Sequence, residues 1–412
     1  MLGDDKEVVP ARGHRPLTRG PRTAPSPTRV VLGRTRAALA ARVGRAWTEV
    51  FRASPHWLKS RRRCGCPPPQ AEASPSYSDG VATYQREAGR KRRHTLTPEQ
   101  FRLVAYIALG ALFVIVLTGA AVRLTDSGLG CPDWPRCHGK VLPPLSGHAL
   151  IEFGNRALSG AVGVIAVAAA VLALLRRPFR RDLAVLAWLL PLGVLAQAVL
   201  GGYTVREHLA PGFVMGHFGL SMAILIAAVA LAWRAAHEPG SRPLSVDRLS
   251  VWSVRALVPI GALAIFAGTA ATAAGPHSGG AVGQRIHRLY FKGTDTLTWV
   301  VHRHATIAAL FGVIAIGVWL LHRHRGAGER VLEPLTVLCV LLAAEGLVGT
   351  VQYELKLPAD MVWVHVTLAT SIWVTVLWAA AAAGRLAPRT VPAFSEDNAP
   401  TARGLETAGR TG

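Results

Sequence analysis

The sequence predicts an all-α integral membrane protein of eight transmembrane helices, arranged as two parallel four-helix bundles related by a pseudo-two-fold. Three observations lead there. Half of the 412 residues are hydrophobic although the formal net charge is +22, a combination rare in soluble domains. The charge is segregated, with twenty Lys and Arg against eight Asp and Glu in residues 1–100 and the remaining excess flanking apolar runs. The last four apolar runs echo the first four at an offset of 147 or 148 residues.

Residues 1–100 are rich in Arg, Pro, Ser and Ala and lack a sustained apolar period, so a disordered basic cytoplasmic tail is expected. Cys64 and Cys66 in this tail have no nearby partner pair and read as exposed, reduced thiols. Apolar runs follow at 103–122, 157–175, 183–205, 209–233, 256–274, 304–321, 334–353 and 361–384. Each is long enough to cross about 30 Å of hydrocarbon as a helix. The Lys/Arg bias sets the orientation: with the N-terminus inside, nineteen basic residues flank the inner ends and eight lie in outer connectors. Both termini, including a disordered stretch 386–412, are therefore expected to be cytoplasmic. The expected halves are 101–236 and 250–385, and nucleic-acid binding is excluded as the role of the charge.

This topology puts "GLGCPDWPRCHG" (128–139) in the first extracytoplasmic loop. An oxidising compartment favours a disulfide between Cys131 and Cys137. A metal site assisted by His138 or His148 is the alternative, although a cysteine pair alone cannot complete tetrahedral zinc.

The repeat aligns "EFGNRALSG" (152–160) with "WVVHRHATI" (299–307), so Asn155-Arg156 corresponds to His302-Arg303. It also aligns Pro211 and His217 with Pro358 and His365, and "QAVLGG" (197–202) with "EGLVGT" (345–350). Four spans per unit make the repeat parallel, unlike inverted transporter repeats. Asn155, His217, His302 and His365 then all lie near the outer face. His302 and His365 are expected to face each other across the second bundle, the way such bundles hold cofactors, and two imidazoles suit a low-spin haem iron. Arg156 and Arg303 are candidates for haem propionates or for interfacial snorkelling. Glu152 lies one turn before Asn155, on the same helix face, where its carboxylate could manage protons or serve as a helix-end charge. Glu345, in mid-span, is expected to be buried and either hydrogen-bonded or protonated. His304 is expected to face away from His302. His138, His148, His208, His277, His322 and His324 are expected to be solvated.

"VRLTDSGLGCPDWPRCHG" (122–139), "EFGNR" (152–156), "APGFVMGHF" (210–218), "GPHSGG" (275–280) and the histidines of spans six and eight together resemble the haem A synthase family. The resemblance covers about residues 100–385. It implies oxidation of the C8 methyl of haem O to a formyl group, giving haem A for terminal oxidase assembly. It further implies a haem b (iron) cofactor in the C-terminal half with His302 and His365 as axial ligands. The substrate haem would sit in the N-terminal half with His217, Asn155 and Arg156. Glu152 matches the family's essential carboxylate, and Cys131 and Cys137 match its outer-loop pair. Two positions depart from the family pattern. Asn155 stands where histidine is common, and 275–298 lacks a second cysteine pair.

The resulting expectation is an oxidoreductase in the cell membrane. Haem O is its substrate. Haem O synthase, oxidase assembly proteins and membrane lipid are its partners, and small-residue helix faces permit a homo-oligomer. A di-haem b-type cytochrome exchanging electrons with quinone is the alternative, and a transporter is a further one.

Overall fold

A computed structural model of the chain describes residues 95–245, 247–277, 279–280, 284 and 286–387. Most of the expected N-terminal tail, with Cys64 and Cys66, lies outside the described residues, as does the C-terminal stretch from 388. Eight helices follow: α1 Pro98–Leu124, α2 Gly147–Leu175, α3 Arg181–Arg206, α4 Pro211–Ala236, α5 Arg248–Ala274, α6 Thr296–His324, α7 Glu329–Glu354 and α8 Ala359–Ala382. All eight are long and apolar enough to cross a membrane, which makes this an all-α, multi-pass membrane protein.

Local chemistry explains the helix ends. Thr97 and Gln100 form a reciprocal capping box, and Pro98 occupies the first turn of α1, where its missing N–H costs nothing. Asp247 caps α5 through the Leu249 N–H. Asp247 also accepts from Ser250 and pairs with Arg325, and these two, Ser250 foremost, hold its carboxyl down at about 2. Most helices run beyond the apolar stretches that announce them. The largest extension is in α2, which begins at Gly147 rather than near 157. Charged residues here do not end helices, because their partners lie one turn away or in the adjoining loop. The exception is α8, which stops at Ala382, before a Gly384 held at φ +82° and a short parallel pairing of Leu244–Ser245 with Arg385–Leu386.

Helices α1 to α4 close a ring in which each packs on the next and α1 packs on α4; α5 to α8 repeat the pattern. The rings meet along α4 and α8, supported by α8 against α1 and α4 against α5. Alanine lines much of the buried seam of α2 (Ala149, Ala166, Ala169, Ala170, Ala173), which lets backbones approach closely where lipid offers no hydrophobic drive. Polar bonds between helices of the two rings include, among the described residues, Trp373 Nε1 to the Met222 carbonyl (3.0 Å), Trp363 Nε1 to the Leu117 carbonyl (3.0 Å) and Arg123 Nη2 to the Thr272 carbonyl (2.6 Å). In a low-dielectric setting such donors must be satisfied, so they fix the register of one ring on the other.

At the end opposite the first loop, Arg176 is fully buried and reaches Glu238 at 2.5 Å, while Arg180 and Arg242 converge on Asp182 at 2.8 and 3.0 Å. This network ties the α2–α3 connector to the α4–α5 connector. His237 at the same end is half-buried, and burial pushes its imidazole below the usual range.

Candidate functional site

The first loop is built around a disulfide between Cys131 and Cys137, both fully buried. Asp133 inside the loop accepts the N–H groups of His138 (2.6 Å) and Gly139 (2.8 Å), with Gly139 at φ +72°. Those bonds, that from Gly139 foremost, hold the Asp133 carboxyl below its ordinary range. Gly130 presses on the α2 entry so closely that a Cβ there would lie 2.4 Å from the His148 carbonyl oxygen. Trp134 at the loop tip lies against α3, where a Cβ on Gly202 would meet its ring at 3.0 Å.

Beneath this loop, Glu152 is only 5% exposed. Its Oε2 accepts the Cys131 N–H at 2.7 Å and its Oε1 pairs with Arg156 Nη2 at 2.5 Å, an i, i+4 pair on α2. Arg156 also donates to the carbonyls of Cys131, Asp133 and Arg136, each at 3.0 Å. The guanidinium that the sequence offered to a propionate or to the interface is occupied by the loop and by Glu152. Glu152 and Asn155 diverge: the first turns to the loop, while Asn155 Oδ1 accepts the Thr118 hydroxyl of α1 at 2.8 Å.

The histidines sort by their hydrogen bonds. Among the described residues that are buried or half-buried, His237, His277, His304 and His322 each bring a ring nitrogen within hydrogen-bond distance of a backbone carbonyl: Trp233 (2.8 Å), Leu357 (2.7 Å), Ala264 (3.0 Å) and Ser250 (3.1 Å). The rings of His217 and His365 make no hydrogen bond, and the Nδ1 of each is buried. These two are repeat partners. Each lies six residues into its helix, and each points Cε1 at an equivalent glycine. A Cβ on Gly201 of α3 would stand 3.3 Å from His217, and one on Gly349 of α7 would stand 3.4 Å from His365. The repeat read from the sequence is thus a repeat of packing.

The two settings differ in the residue one turn before that glycine. Gln197 donates to the His217 backbone carbonyl (2.9 Å) and to Ser221 Oγ (2.5 Å), away from the ring. Glu345 places Oε1 at 3.2 Å from His365 Nδ1, within ion-pair range but out of line for a hydrogen bond in this geometry. Glu345 is half-buried, and its Oε2 is a buried oxygen without a partner.

Around α6 the structure departs from expectation. His304 does face away from His302, but it is not solvated: its ring stands edge-on to His365 with centroids 6.0 Å apart, and it packs against Gly268 of α5. His302 is exposed, lies beside the Tyr353 ring at 6.3 Å, and lines an open cavity of about 380 Å³ with Lys292, Asp295, Thr298 and Trp299. Arg303 points outward, stacked over Trp299 at 5.3 Å, and Lys292 Nζ lies 5.6 Å from the same ring. His277 and His322 are likewise bonded internally rather than solvated, and the exposed His138 and His148 contact the Gly130 carbonyl and Ser127 Oγ. Thr118 and Ser221, and the contacts of Trp134 and His304, escaped the sequence reading. For His304 a signal existed: it lies two positions from the exposed His302, on nearly the opposite face of α6.

The sequence pattern of the cytochrome oxidase assembly protein family matches residues 102–150 and 146–282, which include Cys131, Cys137, Glu152, Asn155 and His217. Similar curated proteins include the haem A synthase of Exiguobacterium sp. AT1b, 34% identical over 28% of this chain and 39% of that protein. The haem A synthase of Exiguobacterium sibiricum is 32% identical over 31% of this chain and 45% of that protein. A protoheme IX farnesyltransferase of Thermus thermophilus is 30% identical over 70% of this chain and 49% of that protein. The chain thus spans less than half the length of these relatives. With the eight helices and the disulfide-closed first loop, these matches make the chain similar, over its N-terminal helices and first loop, to cytochrome oxidase assembly proteins and to curated haem A synthases.

Proposed function

We propose that this protein oxidises the C8 methyl of haem O to the formyl group of haem A, holding substrate among α1 to α4 and a haem b cofactor among α5 to α8. The observation that carries the proposal is the pair His217 and His365, two repeat-related imidazoles whose ring nitrogens form no hydrogen bond with the protein. Other buried or half-buried histidines in the described residues reach backbone carbonyls, so these two are the ones left to coordinate a metal. That donor set fits a porphyrin iron, as does His302 on the wall of an open cavity. His302 and His365 would hold haem b, and His217 would hold the substrate haem. Arg303, free of carboxylate partners within the described residues, is the propionate candidate.

When bound, haem b supplies one-electron transfer. Converting methyl to formyl with water as the oxygen source releases electrons and protons in equal number, and an external electron acceptor must take the electrons. Glu152 is the residue placed to accept those protons at a carboxyl oxygen. Arg156 and the Cys131 N–H hold that carboxyl in place, and the loop with Trp134 shields it from water. Asn155 gives its oxygen to Thr118, which leaves its amide N–H groups to bind substrate or water. The protein would sit in the cell membrane with both termini cytoplasmic and the disulfide loop outside. It would receive haem O from a haem O synthase and deliver haem A to oxidase assembly proteins.

A haem inventory tests this reading. Protein purified from cells making haem O should carry haem b together with haem O or haem A. Two haem b groups would favour the di-haem cytochrome, and absence of haem would end the proposal.

A further inference from the structure

We infer that Glu345 is a positioning residue that orients and electronically strengthens His365 as an iron ligand, so that the α5–α8 half holds its haem at a lower reduction potential than a bare histidine would set. The inference rests on the ligand assignment proposed above and extends it to a residue outside the coordination sphere.

Glu345 sits within α7, where an ionisable side chain is costly unless it serves a partner. Its one neighbour of opposite character is His365, whose Nδ1 is 3.2 Å from Oε1. A ligating histidine keeps Nε2 for the metal only if Nδ1 carries the proton, and a carboxyl oxygen beside Nδ1 enforces that tautomer. Negative charge beside Nδ1 also makes the imidazole a stronger donor, which favours the ferric over the ferrous state. Gly349 brings the ring in close from the same helix face. A Cβ there would lie 3.4 Å from Cε1, so the glycine leaves the ring room beside the α7 backbone, one turn from Glu345.

The other half provides an internal control. Gln197 occupies the position of Glu345, but its amide is spent on the His217 carbonyl and on Ser221, and among the described residues no carboxylate stands in ion-pair range of His217 as Glu345 does of His365. The duplication therefore kept the histidine and the glycine in both halves and placed the acidic group in one.

The experiment is an anaerobic redox titration of the full chain, purified with haem b bound, following the visible bands and the ferric paramagnetic resonance signal. Glu345→Ala should raise the potential so that the reduced-to-oxidised ratio at the wild-type midpoint increases about tenfold, equal to about 59 mV for a one-electron couple. Glu345→Gln, which keeps a carbonyl oxygen beside Nδ1 but removes the charge, should show a smaller rise with haem retained. Gln197→Ala should leave haem b unchanged. Wild-type potential and ligand field in Glu345→Ala, with haem b bound, would overturn the inference. So would a folded Glu345→Gln protein unable to hold haem b. A His365→Ala control separates the two readings: if it keeps the wild-type spectrum, the ligand assignment itself has failed.

Discussion

The two halves share a plan and differ in how they treat their histidine. In α1 to α4, His217 stands alone, while the acidic chemistry lies at the rim, where Glu152 is clamped by Arg156 and by a disulfide-closed loop. In α5 to α8 the acidic residue, Glu345, is inside the bundle beside His365, with His304 edge-on, and the rim is an open cavity at His302. One half carries its buried carboxylate at the rim, clamped by an arginine and a loop N–H. The other surrounds its histidine with groups suited to holding a cofactor still. A duplicated fold can thus divide labour by changing single side chains at equivalent positions, without changing a helix.

The comparison predicts unequal responses to equivalent substitutions. His365→Ala should abolish bound haem b, and His217→Ala should leave haem b in place while stopping haem A formation; visible spectra and pigment chromatography check both. Equal haem b loss in the two variants would break the comparison. Next in size is Arg156→Ala. It leaves Glu152 buried without its charge partner, a change that costs about 3–5 kcal/mol where such a pair is buried. It should lower the detergent-solubilised unfolding temperature and stop product formation, whereas Arg303→Ala, at an exposed position, should cost less than about 1 kcal/mol. Gly202→Ala should cost about 1–3 kcal/mol through crowding of Trp134, and its repeat counterpart Thr350, with no such loop above it, should accept alanine; thermal unfolding of the two variants checks the contrast.

The smallest effect concerns pH. The Asp133 carboxyl is held below its unfolded value by the loop N–H groups, so its stabilisation is present above the unfolded carboxylate range and is lost as pH falls through the folded value. Reduction of the disulfide by a phosphine should therefore accelerate on the acid side in the wild type. In Asp133→Asn the acceleration should be weaker. The α5–α8 half should show no counterpart.

Much of this was legible beforehand. Eight apolar runs gave eight helices, because in lipid a hydrophobic segment has few alternatives to a helix. The His217–His365 correspondence survives as matched depth and matched glycine contacts. Helix ends were less legible, since Glu152, Arg156 and the residues before His302 are helical despite their polarity. The direction of individual side chains was hardest. That His304 meets His365, or that Arg156 serves Glu152, depends on how neighbouring helices are rotated, and no periodicity in a single helix records that. Histidines assigned to water turned out to bond backbone carbonyls for the same reason: loop ends pack on one another, as where the Gly128 N–H meets the Gly279 carbonyl at 2.7 Å.

The parallel sense of the repeat has an energetic consequence. His217 and His365 each lie six residues into helices that enter from the same side, so at 1.5 Å per residue both are about 9 Å below the helix starts. A charge passed between sites at equal depth moves along the membrane plane and does no work against the membrane potential, which would otherwise weigh about 2.3 kcal/mol per charge for each 100 mV crossed. If the proposed sites exchange electrons, that exchange would be insulated from the energised state of the cell.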